Sequence, residues 1–199
     1  MNIAQPEATA LVVEGNKILF VGNDIDALSF KQVDSHMIDG LGTTLVPGFN
    51  DSHMHLLNLG VAMSSVDCRG LADIKGLQQR VKDKAEQAAP GSVIVGRGWD
   101  QNKWTDGRYA TKEDLDAVAP EHPVILTRAC GHVLVANSLA LQLAGVDANT
   151  MDMEGGSLDR DEQGQPTGVL RERAMGLVRQ IIPAIDATSI REALQVGAQ

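Results

Sequence analysis

The sequence predicts an α/β chain, on three observations. A Gly-Asn turn signal separates two short extended runs near the start. Further along, amphipathic helical stretches alternate with β-branched apolar runs. Between these regions an apolar approach ends in Pro47-Gly48 and leads into a run carrying two histidines one residue apart. With 199 residues, 43% of them hydrophobic, the chain is long enough to bury one sizeable core.

The elements follow in order. Residues 8–13 and 17–22 predict a β-hairpin around Glu14-Gly15-Asn16. Residues 24–30 read as a short helix, 36–47 as one or two strands, and 48–55 as a strand carrying the histidines. Residues 73–89 read as an amphipathic helix with Ile74, Leu77 and Val81 on one face, charged residues largely on the others, and Pro90-Gly91 as its stop. A strand over 92–98 follows. Residues 111–119 read as a short helix opened by Thr111 and Asp114, a relative of the capping box. Residues 124–128 form a β-rich run. Residues 137–144 read as a helix with Asn137 or Ser138 as N-cap and Gly145 at its end. A loop over 147–156 precedes a hairpin whose turn spans 161–166. Residues 171–182 read as helical up to Pro183, and Asp186 opens a last helix running to Gln199.

A net charge of −9 argues against nucleic acid or an anionic membrane as partner. No apolar run approaches the roughly 20 residues that cross a bilayer. The first residues lack the basic and apolar regions of a signal peptide, which points to the cytoplasm. Cys68 and Cys130 form no Cys-x-x-Cys and read as free thiols in a reducing compartment, each a small buried hydrophobe.

The histidine pair carries the most chemistry. Alternate residues of a strand share a face, about 6.5–7 Å apart along it. His53 and His55 on such a strand aim both imidazoles at one point, as a divalent metal requires. Asp51 has the same parity and is placed to orient a ligating imidazole or approach the metal. With five histidines in 199 residues, chance supplies about 0.1 His-x-His pair, so the bare motif equally describes two ordinary histidines on a half-buried strand. The cupin barrel also uses His-x-His but follows it with a glutamate, and residues 56–60 here are Leu-Leu-Asn-Leu-Gly.

Three further segments offer polar groups. Gly96-Arg97-Gly98-Trp99-Asp100-Gln101 follows a strand. Trp99 there makes a pocket wall with Asp100 as its polar handle, or plugs the core while Asp100 caps a turn. His132 follows a strand and a glycine. It is placed to donate to a substrate carbonyl or shuttle a proton, or to bond backbone as a structural histidine. Glu172 sits at a strand-to-helix junction, either catalytic or a first-turn glutamate favoured by the helix dipole. No Gly-x-Ser-x-Gly elbow or P-loop is present.

Pro47, Gly48, Asp51, His53 and His55 match the Pro-Gly-x-x-Asp-x-His-x-His pattern on the first barrel strand of the amidohydrolase superfamily. Residues 9–22 resemble that family's small β-sandwich strands, and 38–47 its return strand into the barrel. Gly98-Trp99-Asp100-Gln101, the run from Gly131-His132 through Asn137-Ser138 to Leu141, and the run from Pro166 to Glu172 resemble the branch typified by N-substituted formamide deformylase. The resemblance implies a metal-dependent (β/α)₈ barrel hydrolase with an N-terminal β-sandwich and an α+β insertion. Residues 1–46 would be a partial sandwich, 47–60 the first barrel strand, 61–180 the insertion, and 181–199 the start of the next barrel helix. A barrel takes roughly 250 residues, so the chain is expected to be an N-terminal fragment. No counterpart of the family's first sandwich strand is legible before Gln5.

The resemblance also implies hydrolysis of carbon–nitrogen bonds in small, formamide-like amides. One or two divalent ions, zinc above all, would be held by His53 and His55 and completed by downstream ligands, with a downstream aspartate as base. Asp100 and His132 would serve catalysis, and Trp99 and His132 would face the substrate. The alternative is an inactive fragment, or a metal-binding interaction domain that self-associates into a homo-oligomer through exposed strand edges.

Overall fold

The computed structural model describes residues 7–198. The chain divides into two units, Met1–Asp51 and Ser52–Gln199.

In the first unit, strand β1 (Ala10–Glu14) pairs antiparallel with β2 (Lys17–Gly22), with Ala10 opposite Gly22 and Glu14 opposite Lys17. The predicted turn forms, and Gly15 takes the left-handed φ of 62° that it requires. Helix α1 (Asp24–Ala27) is capped by Asn23, whose side chain accepts from the Asp26 amide, and a 3₁₀ turn, Leu28–Phe30, follows. The strands expected over 36–47 do not form. Leu41 and Gly42 have φ of 49° and 79°, and the Thr43 amide donates to the Gly40 carbonyl at 2.8 Å. That turn interrupts the extended run at its midpoint, and Ile38, Leu41, Leu45 and Phe49 are exposed.

A further correction falls on the residues that end the first unit and open the second. Residues 47–55 pair with no strand among the described residues, and helix α2 (Leu56–Ser64) begins directly after His55. An extended segment becomes a strand only with a hydrogen-bonded neighbour. Here the His55 carbonyl instead accepts from the Leu59 amide at 2.9 Å, as the first turn of a helix.

Next come β3 (Val66–Asp67), α3 (Ile74–Gln87), β4 (Ile94–Trp99), α4 (Lys112–Asp116), β5 (Val124–Arg128) and β6 (Val133–Ala136). They are followed by α5 (Ser138–Leu143), β7 (Gly156–Arg160), β8 (Pro166–Glu172), α6 (Met175–Arg179) and α7 (Ala187–Gly197). The predicted caps are in place, the Thr111–Asp114 box on α4, Asn137 on α5 and Asp186 on α7, and Asp73, expected inside α3, caps it instead. The helix expected over 171–182 is shorter, because Arg171 and Glu172 still belong to β8 and pair with Ser157 and Gly156.

The six strands form one mixed sheet in the order β3-β4-β5-β6-β8-β7. β3, β4 and β5 run parallel; β6, β8 and β7 join antiparallel. Alternation along the central strands builds a core on each face. Val124, Leu126, Val133, Val135 and Val169 join Leu77, Val81 and Leu115 of α3 and α4 on one side. Ile125, Leu134, Ala136 and Leu170 join Leu141 and Val178 of α5 and α6 on the other. With both faces covered, these strands read as continuous apolar runs rather than alternating ones.

Asn137 ties the layers together. Its carbonyl oxygen accepts from the Val124 and Ala140 amides at 2.9 and 3.0 Å, and its NH₂ donates to the His122 and Ala119 carbonyls at 2.8 and 3.2 Å. It is fully buried.

Helices α2 and α7 meet at small residues. A Cβ on Gly60 would overlap the backbone of Ala193, and one on Gly197 would press on the Leu56 carbonyl at 2.7 Å. Gly60→Val is therefore expected to force the helices apart and cost about 1–3 kcal/mol, read as a lower thermal midpoint. An unchanged midpoint would show that this contact is slack. Among the described residues, no helix is long and apolar enough to cross a membrane.

Candidate functional site

His53 and His55 lie in the bend before α2, both exposed. Their ring centroids are 5.4 Å apart and their planes are inclined at 82°. A metal held in the plane of an imidazole at about 2.1 Å lies roughly 3.2 Å from that ring's centroid, so two tetrahedral imidazole ligands have centroids about 5.2 Å apart. The observed separation fits a shared ion without the strand that was expected to produce it. Two neutral imidazoles also suit zinc and its neighbours chemically. Among the described residues no group of three or more His, Cys, Asp and Glu is arranged to hold a metal. Two imidazoles are fewer than the three or four protein ligands that a zinc site uses. Asp51 is exposed and is the last residue of the first unit.

The other candidates gather at one end of the central sheet. β4 ends at Trp99, and Asp100 follows, capping the 3₁₀ turn Gln101–Lys103. Asp100 Oδ1 accepts from Arg128 Nη2 at 2.7 Å, and Gln101 Oε1 accepts from Arg128 Nε at 2.8 Å. Trp99 is fully buried; its indole N–H donates to the Leu126 carbonyl at 2.9 Å, and Trp104 and Tyr109 stack beside its ring. Trp99 thus plugs the core and shows no face to a ligand, which corrects its reading as a pocket wall. Trp104 takes that position. With Cys68, Arg69, Gly98, Asp100 and Lys103 it lines a cleft of about 290 Å³ beyond the ends of the parallel strands, the place where open α/β sheets commonly bind ligands.

The turn between β5 and β6 carries Cys130, Gly131 and His132. Gly131 has φ of 80° and its amide donates to the Arg128 carbonyl at 2.9 Å, closing the turn. His132 Nδ1 and Glu172 Oε2 are 3.0 Å apart, so two candidates 40 residues apart form one pair. The pairing of Val133 with Arg171 brings them together. His132 is therefore not a histidine bonded to backbone, and Glu172 is not in the first turn of a helix. Glu172 ends β8 with φ of 51°, a conformation uncommon outside glycine and one that recurs at functional sites. Its amide donates to the His132 carbonyl at 2.9 Å, which holds that conformation.

The hydrogen bond that Glu172 accepts from the imidazole, and its charge, raise the His132 pKa above the ordinary histidine value. A raised value means that the pair's attraction is complete below the unfolded pKa, about 6.5, and is lost as pH rises through the folded one. Both groups are exposed, so the effect belongs to the charge state of His132 more than to stability. Glu172→Gln is expected to lower the imidazole's titration midpoint toward 6.5, measured from its ring proton resonances. An unmoved midpoint would remove the pair.

Arg128 and Cys130 are participants that motif reading missed. The available signal was a cation ending an otherwise apolar strand. Cys68 is buried as expected, and burial pushes its thiol up to about 12. Cys130 is exposed instead, because it sits at the tip of the turn.

The amidohydrolase family model matches residues 36–199. A Bacillus subtilis (strain 168) protein, YtcJ, whose name assigns it to the amidohydrolases, is 37% identical over 153 residues, covering 77% of this chain and 29% of that protein. The N-substituted formamide deformylase of Arthrobacter pascens is 35% identical over 173 residues, 86% of this chain and 32% of the enzyme. The crystal structure of an uncharacterised metal-dependent hydrolase from Pyrococcus furiosus aligns with a TM-score of 0.54 at 30% identity, covering 94% of this chain and 36% of that one. The chain spans about a third of the length of the curated relatives it matches. A family match over most of the chain, with the Pro-Gly-x-x-Asp-x-His-x-His run inside it, leads to one conclusion: the chain belongs to the amidohydrolase family.

Proposed function

We propose that the protein acts, in its whole form, as a metal-dependent hydrolase of carbon–nitrogen bonds with small formamide-like amides as substrates. The observation that carries this reading is the centroid separation of His53 and His55, 5.4 Å, inside a stretch matched by the amidohydrolase family. The formamide preference draws on the likeness to the Arthrobacter pascens enzyme. The parent architecture proposed is a (β/α)₈ barrel, in which residues 1–46 belong to a β-sandwich and 61–180 to an insertion. The two cores flanking one sheet between Val66 and Val178 support an insertion that folds around its own centre.

His53 and His55 would hold the ion, zinc in our reading, through neutral imidazole nitrogens. When bound, such an ion lowers the pKa of a water toward neutrality and polarises a carbonyl. His132 positions the substrate in its protonated form: Nδ1–H donates to Glu172, and Nε2–H is left to donate to a carbonyl oxygen. Asp100 acts by fixing Arg128, and Trp104 closes the cleft that Asp100 lines. The test is metal content together with turnover of N-substituted formamides by the whole protein. Stoichiometric zinc with turnover supports the reading, and a metal-free protein that turns over the same amides contradicts it.

A second reading has its own observation. Val33, Ile38, Leu41 and Phe49 are nearly or fully exposed, and such apolar side chains favour association. The chain by itself is then a self-associating module. Sedimentation across a concentration series tests this, with oligomers growing with concentration as the expected result.

A further inference from the structure

We propose that the cleft beyond the parallel strands binds small carboxylates with an apolar body, through the indole N–H of Trp104 and the ammonium of Lys103. The observation that carries this is a donor left without an acceptor. Trp104 is 6% exposed and lines the cleft. Among the described residues its indole N–H has no hydrogen-bond partner. Nor is that nitrogen sealed off, because no enclosed side-chain nitrogen or oxygen among them lacks a partner. The small accessible part of this side chain therefore includes the donor. Trp99 provides the contrast: its ring lies 5.8 Å away and its N–H is satisfied by the Leu126 carbonyl at 2.9 Å. Mostly buried tryptophans normally find an acceptor for this group, and an occupant of the cleft supplies one to Trp104.

Charge decides what kind of acceptor fits. Arg69, Asp100 and Lys103 are the charged residues lining the cleft. Arg69 Nε and Nη2 each donate to an Asp67 oxygen at 2.8 Å, and these bonds hold the Asp67 carboxyl down to about 2, so the pair stays ionised and satisfied. Asp100 is offset by Arg128 at 2.7 Å. Lys103 has no ion-pair partner among the described residues. The cleft thus keeps one uncompensated positive charge in a chain of net charge −9. A carboxylate matches that single charge, and its two oxygens accept from an ammonium and an indole N–H at once, as charge-assisted bonds.

Shape decides the rest. Gly98 has φ of 103°, at the point where β4 shifts register against β5. A Cβ there would lie 2.5 Å from Arg69 Cγ, so a bare backbone keeps this part of the cleft open. Half-buried Leu71 adds an apolar wall beside Trp104. At about 290 Å³ the cleft is small for a ligand pocket, with room for one ring and a short acid arm. Any bearing on hydrolysis rests on the function proposed above, whereas the binding itself does not.

The test is titration of the chain with sodium phenylacetate, followed through the indole N–H resonances of its two tryptophans. The Trp104 resonance should shift and saturate, while that of Trp99 stays in place. Phenylacetamide, the same body without the charge, should bind about tenfold more weakly. Acetate, the charge without the body, should also bind about tenfold more weakly. Lys103→Gln should weaken phenylacetate binding about threefold or more. Lys103 is exposed, and an unmoved Trp99 resonance verifies that the variant is folded. No saturable shift at Trp104, an equal response to phenylacetamide or acetate, or a Lys103→Gln chain that binds as wild type would overturn the proposal. A whole protein that hydrolyses no amide would leave these titrations unchanged, which separates this proposal from the proposed function.

Discussion

Replacing Asn137 with alanine is expected to lower the unfolding free energy by about 3 kcal/mol or more, because the substitution strands several buried backbone groups at once. The side chain satisfies the amides of Val124 and Ala140 and the carbonyls of Ala119 and His122. Alanine can replace none of these bonds, and the site is fully buried, so water does not compensate without opening the structure. For a chain of this size the loss corresponds to a drop in thermal midpoint of roughly 6–12 °C. Asn137→Asp keeps the two acceptor bonds and loses the two donor bonds, so it is expected to fall between wild type and alanine at neutral pH only if its charge is tolerated. A melting curve for alanine within 2 °C or so of wild type would show that the tie between β5, α5 and the residues preceding β5 is not structural.

The second large effect concerns His53. In the proposed function, His53→Ala in the whole protein is expected to lower turnover roughly a thousandfold or more, because several kcal/mol of transition-state stabilisation would depend on the ion that this imidazole would help to hold. Bound metal should fall in parallel. His55→Ala should reproduce both losses, since removing either half of a shared pair leaves a single imidazole. The exposed setting of both rings predicts little change in folding stability. A collapse in thermal midpoint would mark the histidines as structural, and wild-type turnover with full metal would remove them from the chemistry.

The contrast between these two residues shows what the sequence makes legible. Asn137 was readable as a helix cap, because a side-chain acceptor before an apolar helix has few other uses. Its second task, bonding the start of β5, depends on strands that meet only in the folded chain. The same division runs through the fold. The Gly15-Asn16 hairpin, the apolar face of α3 and the cap at Asp186 are local, and all formed.

Helix α2 was hidden, because Leu56-Leu57-Asn58-Leu59 reads equally well as the tail of a strand. β6 was hidden too: four buried residues between Gly131-His132 and Asn137 carry no period of their own. The strands expected over 36–47 failed where Leu41 and Gly42 turn the chain. In the candidate site, the histidine pair was legible as a motif, although the reason given for it, a shared strand face, is not how the rings come together. The His132–Glu172 pair was not legible, because only the β6–β8 register joins positions so far apart. Trp99 illustrates the opposite case: its sequence surroundings suit a pocket wall and a core plug alike, and burial decides between them.

The most direct measurement is a zinc or cobalt(II) titration of the chain followed through the ring proton resonances of its histidines. His53 and His55 should respond together, saturating at one ion per chain, while His36, His122 and His132 are unmoved and His53→Ala abolishes the response at His55. Independent responses of the two rings, or none at all, would contradict a shared ion.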